Sequence, residues 1–243
     1  MSERRPSISI FFPFLNDWGT VGSLISLSVS TVEKLTDDWE VIVVDDGSLQ
    51  ANSEALASIV EVMDSSRIRI IHHEKNRGYG GALRTGFSSS KKDLIFYTDC
   101  DAQYDPRELT KLYDVMRRGD VGMVNGYKIK RNDPWYRVVA GRVYHHLAKI
   151  AFALPVGDTD CDFRLVKKEV FKKVRLFENT GTICVELVKK VDHAGYKIAE
   201  VPVHHFWRTS GKSQFFNFDR LVKTGLNLLK LWWKLIVVKD YNH

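Results

Sequence analysis

Cysteine is scarce in this chain: Cys100, Cys161 and Cys184 are the only three in 243 residues, and no two form a CxxC pair. That excludes a disulfide scaffold and points to a reducing compartment. No run of about 20 uncharged apolar residues occurs, so no clean transmembrane helix is expected. The N-terminal MSERRPSISIFF lacks the long apolar core of a signal peptide. Neither a Pro/Ser-rich linker nor an internal repeat interrupts the chain, which argues against disorder or a repeat array. No HxxxH spacing occurs; His72-His73, His145-His146 and His204-His205 are adjacent pairs, which on a strand point to opposite faces. The Gly-rich run has neither the GxGxxG spacing with its ribose-binding acid nor a P-loop lysine, which disfavours a dinucleotide oxidoreductase and a P-loop NTPase. The net charge of +6 calls for acidic partners. With no zinc finger or RNP-like aromatic sheet, nucleic acid is not expected among them.

What is present is a repeating order of apolar strands and helices. Ser7 to Phe14, Trp39 to Val44, Ile68 to His72 and Leu94 to Thr98 read as strands. Val21 to Leu35, Ser53 to Met63 and Gly80 to Ser88 read as the helices between them. Strands that are apolar throughout, alternating with helices, predict a mostly parallel sheet covered on both faces, an α/β Rossmann-like fold. The second half is less regular. A helix is expected over Trp135 to Leu154, a loop running into a strand or turn over Asp158 to Leu165, a helix around Glu186, and a last strand over Ile198 to Val203.

Ligands of such sheets gather at the carboxyl ends of the strands. The acidic residues stand there: Asp17 after the first strand, Asp45 and Asp46 after the second, Asp99 and Asp101 after the fourth. Two carboxylates at i and i+2 in a turn can share a hard cation, Mg²⁺ or Mn²⁺, with Gln103 adding a neutral oxygen. Asp45-Asp46-Gly47-Ser48 supports two readings, a contact to base or ribose and an Asp-rich turn capping the next helix. In Asn76 to Arg84, the glycines allow backbone to approach a ligand, and Arg77 or Arg84 can face phosphate.

Taken in order, PFLND, VVDDGS, NRGYGGALRTGF, DCDAQ, DTDCDFRL, EVPV and RTSGKSQF resemble the inverting GT-A glycosyltransferases of family 2, and among them the polyprenyl-phosphate (dolichyl-phosphate) sugar transferases. The resemblance runs from Ser7 to Phe216. It implies that Pro13, Asp17, Asp45 and Asp46 contact the nucleotide of a UDP- or GDP-linked hexose. It also implies that Asp99, Asp101 and Gln103 hold the metal and diphosphate. Asp158 matches the acid near the acceptor phosphate, Arg164 a basic or structural position, and Arg208 the arginine of a mobile phosphate-binding loop. Two positions depart from the family: Asp17 stands for the usual Glu, and Gln214 for a Lys, so either Lys212 supplies the charge or the donor diphosphate is held less tightly.

Leu221 to Val238 carries Lys223, Asn227, Lys230 and Lys234 on one helical stripe with apolar residues opposite. Each lysine at the centre of a span would cost about 2.5–3.5 kcal/mol, so a helix lying in an anionic interface is expected, with packing on its own domain or on a second copy as the alternative. Trp135, Val139, Val143, Leu147 and Ile150 form a second apolar row. The reading is therefore a catalytic domain over residues 1–216 and a membrane-associating helix over 217–243, at the cytoplasmic face of a membrane. The alternatives are a soluble glycan or protein acceptor, and a catalytically inactive nucleotide-sugar-binding scaffold.

Overall fold

The computed structural model describes residues 5–131, 146–207 and 218–241. Seven strands form one sheet: β1 (Ile8–Phe14), β2 (Trp39–Asp45), β3 (Ile68–His72), β4 (Leu94–Thr98), β5 (Met123–Arg131), β6 (Phe163–Lys167) and β7 (Ile198–His205), in the order β3-β2-β1-β4-β6-β5-β7. All neighbours are parallel except β6, which runs against both β4 and β5. The expectation of a mostly parallel α/β sheet is met. The half that looked irregular extends the sheet by three strands.

The apolar strands are explained by a core on each face. Ile8, Ile10, Phe12 and Phe14 of β1 point into one, with α1 (Trp18–Val32), α2 (Gln50–Val62) and α4 (Leu109–Arg118) over them. Phe11, Ile42, Val44, Ile95 and Tyr97 point into the other, under α3 (Tyr79–Ser89), a helix α5 over 146–152, α6 (Ile183–His193) and α7 (Phe218–Trp232). Of the helix expected over Trp135 to Leu154, 146–154 lies within the described residues, and 146–152 of it is helical. There Leu147 and Ile150 are exposed, while Ala148 and Phe152 are buried.

Helix α7 has two apolar faces. Leu231 is buried against the second core, as is Leu235 in the single π-helical turn that follows, Trp233–Val237. The Trp232 indole donates to the Ala151 carbonyl at 2.9 Å. Val222, Leu226, Leu229, Trp233 and Val237 form an exposed stripe at i, i+4, i+7, i+11 and i+15. Packing on the chain's own body, held as the alternative, therefore describes one face of this helix. Lys234 is drawn inward, its ammonium 3.5 Å from the Phe177 ring centroid. No helix among the described residues is long and apolar enough to cross a membrane.

Candidate active site

Parallel strands put their carboxyl ends on one rim. β1 ends at Phe14, β2 at Asp45, β3 at His72 and β4 at Thr98, so Asp17, Asp46, His73 and Asp99 follow at the same edge. Because β6 is reversed, its start lies there too: Phe163 pairs with Thr98. The loop Asp158–Asp162 is thereby delivered beside Asp99. β7 ends at the same rim, and the Phe206 amide donates to the Gln103 carbonyl at 2.8 Å while the Gln103 amide reaches back to the Phe206 carbonyl at 3.2 Å.

The turn after β4 is sharp. Asp101 is 4% exposed, and its Oδ1 accepts from the Gln103 amide at 3.0 Å across Ala102, which has a φ of +58°. A left-handed alanine is uncommon and costs about 1–2 kcal/mol, offset here by the Asp101 turn bond. The start of α1 closes on the same segment, with the Thr20 hydroxyl donating to the Cys100 carbonyl. The Cys100 thiol is pushed well up, first by burial and then by the charges of Asp17, Asp99 and Asp101. The Thr20 hydroxyl also lies 3.1 Å from the Asp17 carbonyl, so the ends of β1 and β4 are tied together at this turn.

Tyr79, the first residue of α3, donates its hydroxyl to Asp99 Oδ1 at 2.8 Å. Its phenol is pushed up by burial and then by the charges of Asp162 and Asp99. Asp162 in turn accepts from the Cys184 thiol at 3.0 Å. Asp99 is thus tied to α3, and the 158–162 loop to α6. The glycines on either side serve a different purpose from the one expected. A Cβ on Gly78 would stand 2.3 Å from the Asn179 carbonyl oxygen, and one on Gly80 would stand 2.4 Å from that of Glu178. They admit the 178–179 segment of the chain itself. Arg84 is likewise turned to the Phe177 carbonyl at 2.8 Å. That bond uses one guanidinium nitrogen of the arginine expected to face phosphate.

The VVDDGS turn resolves into its parts. Asp45 Oδ1 accepts from the Ser48 amide, and Oδ2 from Ser53 and from His72 at 3.1 Å. That is an Asp-rich turn in front of α2, whose own N-cap, Leu49, makes no side-chain cap bond. Burial pushes Asp45 up, but the Ser48, Ser53 and His72 donors overcome it and hold the carboxyl below its usual range. Glu40 is held low in the same way, burial being outweighed by Ser9, the Lys91 amide and Arg69. A depressed pKa means the unfolded chain binds protons first, so these groups stabilise the fold above the ordinary carboxylate range and lose that contribution as pH falls through it. The denaturation midpoint is expected to drop between about pH 5 and pH 3, and Asp45→Asn to flatten the slope. A pH-independent midpoint would contradict this.

Asp46, 3% exposed, accepts from His73 at 2.6 Å and from the Arg77 amide at 2.8 Å. The 77–79 segment therefore joins Asp46 to Asp99. Pro13 is buried within β1, paired with Val44, and Asn16 knits the two neighbouring turns by accepting from the Leu49 amide at 2.9 Å and Asn52 at 2.8 Å.

Asp158 and Arg164 organise the opposing loop. Asp158 is 5% exposed; its Oδ2 accepts from the Lys128 amide at 3.2 Å and Oδ1 from the Asp160 amide at 3.1 Å. Arg164 is fully buried, donating from Nε to Asn125 Oδ1 (2.7 Å), from Nη1 to the Tyr97 hydroxyl (2.8 Å) and from Nη2 to the Thr159 carbonyl (2.6 Å). Of the two positions weighed for Arg164, the structure gives it the structural one, below the loop. Arg208, Lys212 and Gln214 lie outside the described residues. Tyr79 and Asn125 escaped the sequence reading; the tyrosine stands between two glycines that drew the attention, and Asn125 sits on a strand that was not foreseen.

Asp99, Asp101 and Gln103 offer only oxygen donors, the set a hard divalent cation takes. Among the described residues no group of three or more His, Cys, Asp or Glu forms a ready metal cage. The arrangement fits a cation that completes its shell from phosphate and water rather than one held by protein alone.

A sheet of this order, with carboxylates after β1, β2 and β4 converging on a turn past the central strand, defines the GT-A class of glycosyltransferase. Residues 9–175 match the model of glycosyl transferase family 2, and the chain belongs to that family. Among its relatives are the glycosyltransferase AglD of Haloferax volcanii, 27% identical over 97% of this chain and 40% of AglD, and the undecaprenyl-phosphate 4-deoxy-4-formamido-L-arabinose transferase of an Enterobacter species, 28% identical over 98% of this chain and 75% of that protein. The chain thus spans two fifths of the length of AglD. Glucosyl-3-phosphoglycerate synthase from Mycobacterium tuberculosis, crystallised with Mn²⁺, UDP and glucosyl-3-phosphoglycerate, superposes with a TM-score of 0.70 at 18% identity, covering 94% of this chain and 79% of the synthase.

Proposed function

We propose that the chain transfers a hexose, with inversion, from a UDP- or GDP-linked donor to a polyprenyl phosphate at a membrane surface, with Mg²⁺ or Mn²⁺ as cofactor. The observation that carries this reading is the tie between Asp17 and the Asp99–Asp101 turn through the Thr20 hydroxyl, which reaches both the Asp17 and the Cys100 carbonyls, with the Asp158–Asp162 loop brought alongside by β6. The likeness to the undecaprenyl-phosphate 4-deoxy-4-formamido-L-arabinose transferase supports the acceptor class.

In this reading Asp99, Asp101 and Gln103 hold the cation, and Pro13, Asp17, Asp45 and Asp46 line the nucleotide. A cation bound there neutralises the charge that grows on the departing diphosphate. An oxygen of the acceptor phosphate attacks the anomeric carbon while its bond to the diphosphate breaks. The acceptor is already ionised near neutral pH, so no base is needed. Asp158 accordingly orients the loop, and the task left to the chain is to hold two anions in line. Arg208 and Lys212 supply positive charge to that end.

Residues 1–216 form the catalytic unit and 217–243 the membrane-associating segment, at the cytoplasmic face. Support comes from the outward stripe of Val222, Leu226, Leu229, Trp233 and Val237, an apolar face that an interface would cover while the exposed Lys223 and Lys230 reach the headgroups.

The test is to supply radiolabelled UDP- and GDP-hexoses with undecaprenyl phosphate and Mn²⁺ or Mg²⁺. Label is expected in organic-extractable lipid, and a chelator is expected to remove it. Label confined to a water-soluble product would replace the lipid acceptor with a soluble one. Nucleotide-sugar binding without turnover would make the chain a scaffold. The protein is further expected to pellet with anionic liposomes, and failure to do so would refute the membrane assignment.

A further inference from the structure

The Tyr79 hydroxyl has a partner that the reaction needs and a support that a surface tyrosine would not have. Its oxygen lies 2.8 Å from Asp99 Oδ1, and it precedes Gly80, whose amide donates to the Asn179 carbonyl at 3.0 Å. The contacts at Gly78 and Gly80 leave no space between the first turn of α3 and the 178–179 segment. That segment is braced from below. The buried Glu186 carboxylate accepts from the Phe177 amide at 3.0 Å and the Glu178 amide at 2.9 Å. It is paired with the buried Lys190 ammonium at 3.1 Å. The same helix, α6, touches the opposing loop through Cys184 and Asp162.

We propose that Tyr79 is a positioning residue for the donor site: its hydroxyl fixes the rotation of the Asp99 carboxylate, and the strut Glu186–Phe177–Asn179 fixes Tyr79. The inference rests on the assignment of Asp99 to the cation and diphosphate. A carboxylate held at one oxygen by a neutral donor keeps its full charge and loses its torsional freedom, so a cation meets it pre-oriented. A phenol suits this position because it donates a hydrogen bond without bringing a competing positive charge.

The test uses the full chain and two readouts besides turnover: Mn²⁺ affinity by electron paramagnetic resonance, and Mn²⁺-UDP affinity by calorimetry. Tyr79→Phe keeps the ring and removes only the hydroxyl. It is expected to weaken Mn²⁺-UDP binding about tenfold, as for loss of one hydrogen bond to a charged group, with KM for the donor raised in parallel. In an Asp99→Asn background the same substitution is expected to change affinity less than about twofold, because the two residues act through one contact. Equal losses in both backgrounds, or wild-type Mn²⁺-UDP affinity in Tyr79→Phe, overturn the proposal. If Tyr79→Phe folds poorly, Glu186→Gln, which weakens the strut and leaves the hydroxyl in place, is expected to lower Mn²⁺-UDP affinity in the same direction. Unchanged affinity there also overturns it. Asp101→Asn separates the two levels: if that variant also binds Mn²⁺-UDP normally, the metal assignment itself has failed, whereas loss in Asp101→Asn with retention in Tyr79→Phe removes only Tyr79.

Discussion

Asp101→Asn is expected to lower kcat/KM about a hundred- to a thousandfold, the scale seen when a group that stabilises transition-state charge is removed, while the melting temperature stays near that of the wild type. The reason lies in the turn. Asp101 Oδ1 accepts from the Gln103 amide and supports the left-handed Ala102. An asparagine keeps an oxygen at that position and can preserve the bond. It removes the negative charge that a cation and a departing diphosphate require. Asp101→Ala loses both, so it is expected to fall in stability as well as in activity. Comparing the two separates the charge from the turn. Near-normal transfer by Asp101→Asn at saturating Mg²⁺ or Mn²⁺ would sink the metal assignment.

Arg164→Met is expected to produce the largest loss of stability, about 3–5 kcal/mol, because three buried acceptors lose their donor at once. The Tyr97 hydroxyl, the Asn125 carbonyl oxygen and the Thr159 carbonyl all face Arg164, which is completely buried. Methionine fills much of the volume and satisfies none of them. For a chain of this size that corresponds to roughly 10 °C in melting temperature. Arg164→Lys can restore a single donor and is expected to recover only part of it. Equilibrium denaturation in urea measures both. A loss below about 1 kcal/mol would mean that water or rotation of the neighbours satisfies the acceptors, and the network would have no structural weight.

The sequence was most readable where periodicity and position coincide. β3 and β4 fall where Ile68 to His72 and Leu94 to Thr98 place them, because short apolar runs ending at polar residues leave little choice of register. α4 and β5 were missed, although Leu109, Leu112, Tyr113 and Met116 line one helix face. Met123 to Arg131 carries polar residues at Asn125, Lys128 and Arg131 and has no continuous apolar run. Only the buried Arg164 and the Asp158 loop account for Asn125 at that position.

The acidic residues were legible as a set because they follow strand ends. Their division of labour was not. Asp45 bonds the turn and first residues around α2, Asp158 accepts from two amides, and the Gly-rich run packs closely on Asn179. Ser48, Ser53 and Asp160 are local partners, whereas Lys128 and Asn179 are brought in by the fold from far along the chain. Tyr79 shows the same limit: a tyrosine between glycines carries no signal until the fold brings Asp99 beneath it.

The reversal of β6 has a consequence for how such an enzyme can diversify. The strand that leads into the Asp99 turn and the strand that receives the Asp158–Asp162 loop are directly paired neighbours, so their anchor points stand about 4.8 Å apart, one rung of the sheet. Whatever residues the loop is rebuilt with, it still enters the sheet on the rung beside the Asp99 turn. Under the proposed assignment of the donor to that turn and the acceptor to that loop, new acceptors can be recruited by exchanging one short connection, and the alignment between the two reactants is inherited from the backbone ladder and need not be rediscovered.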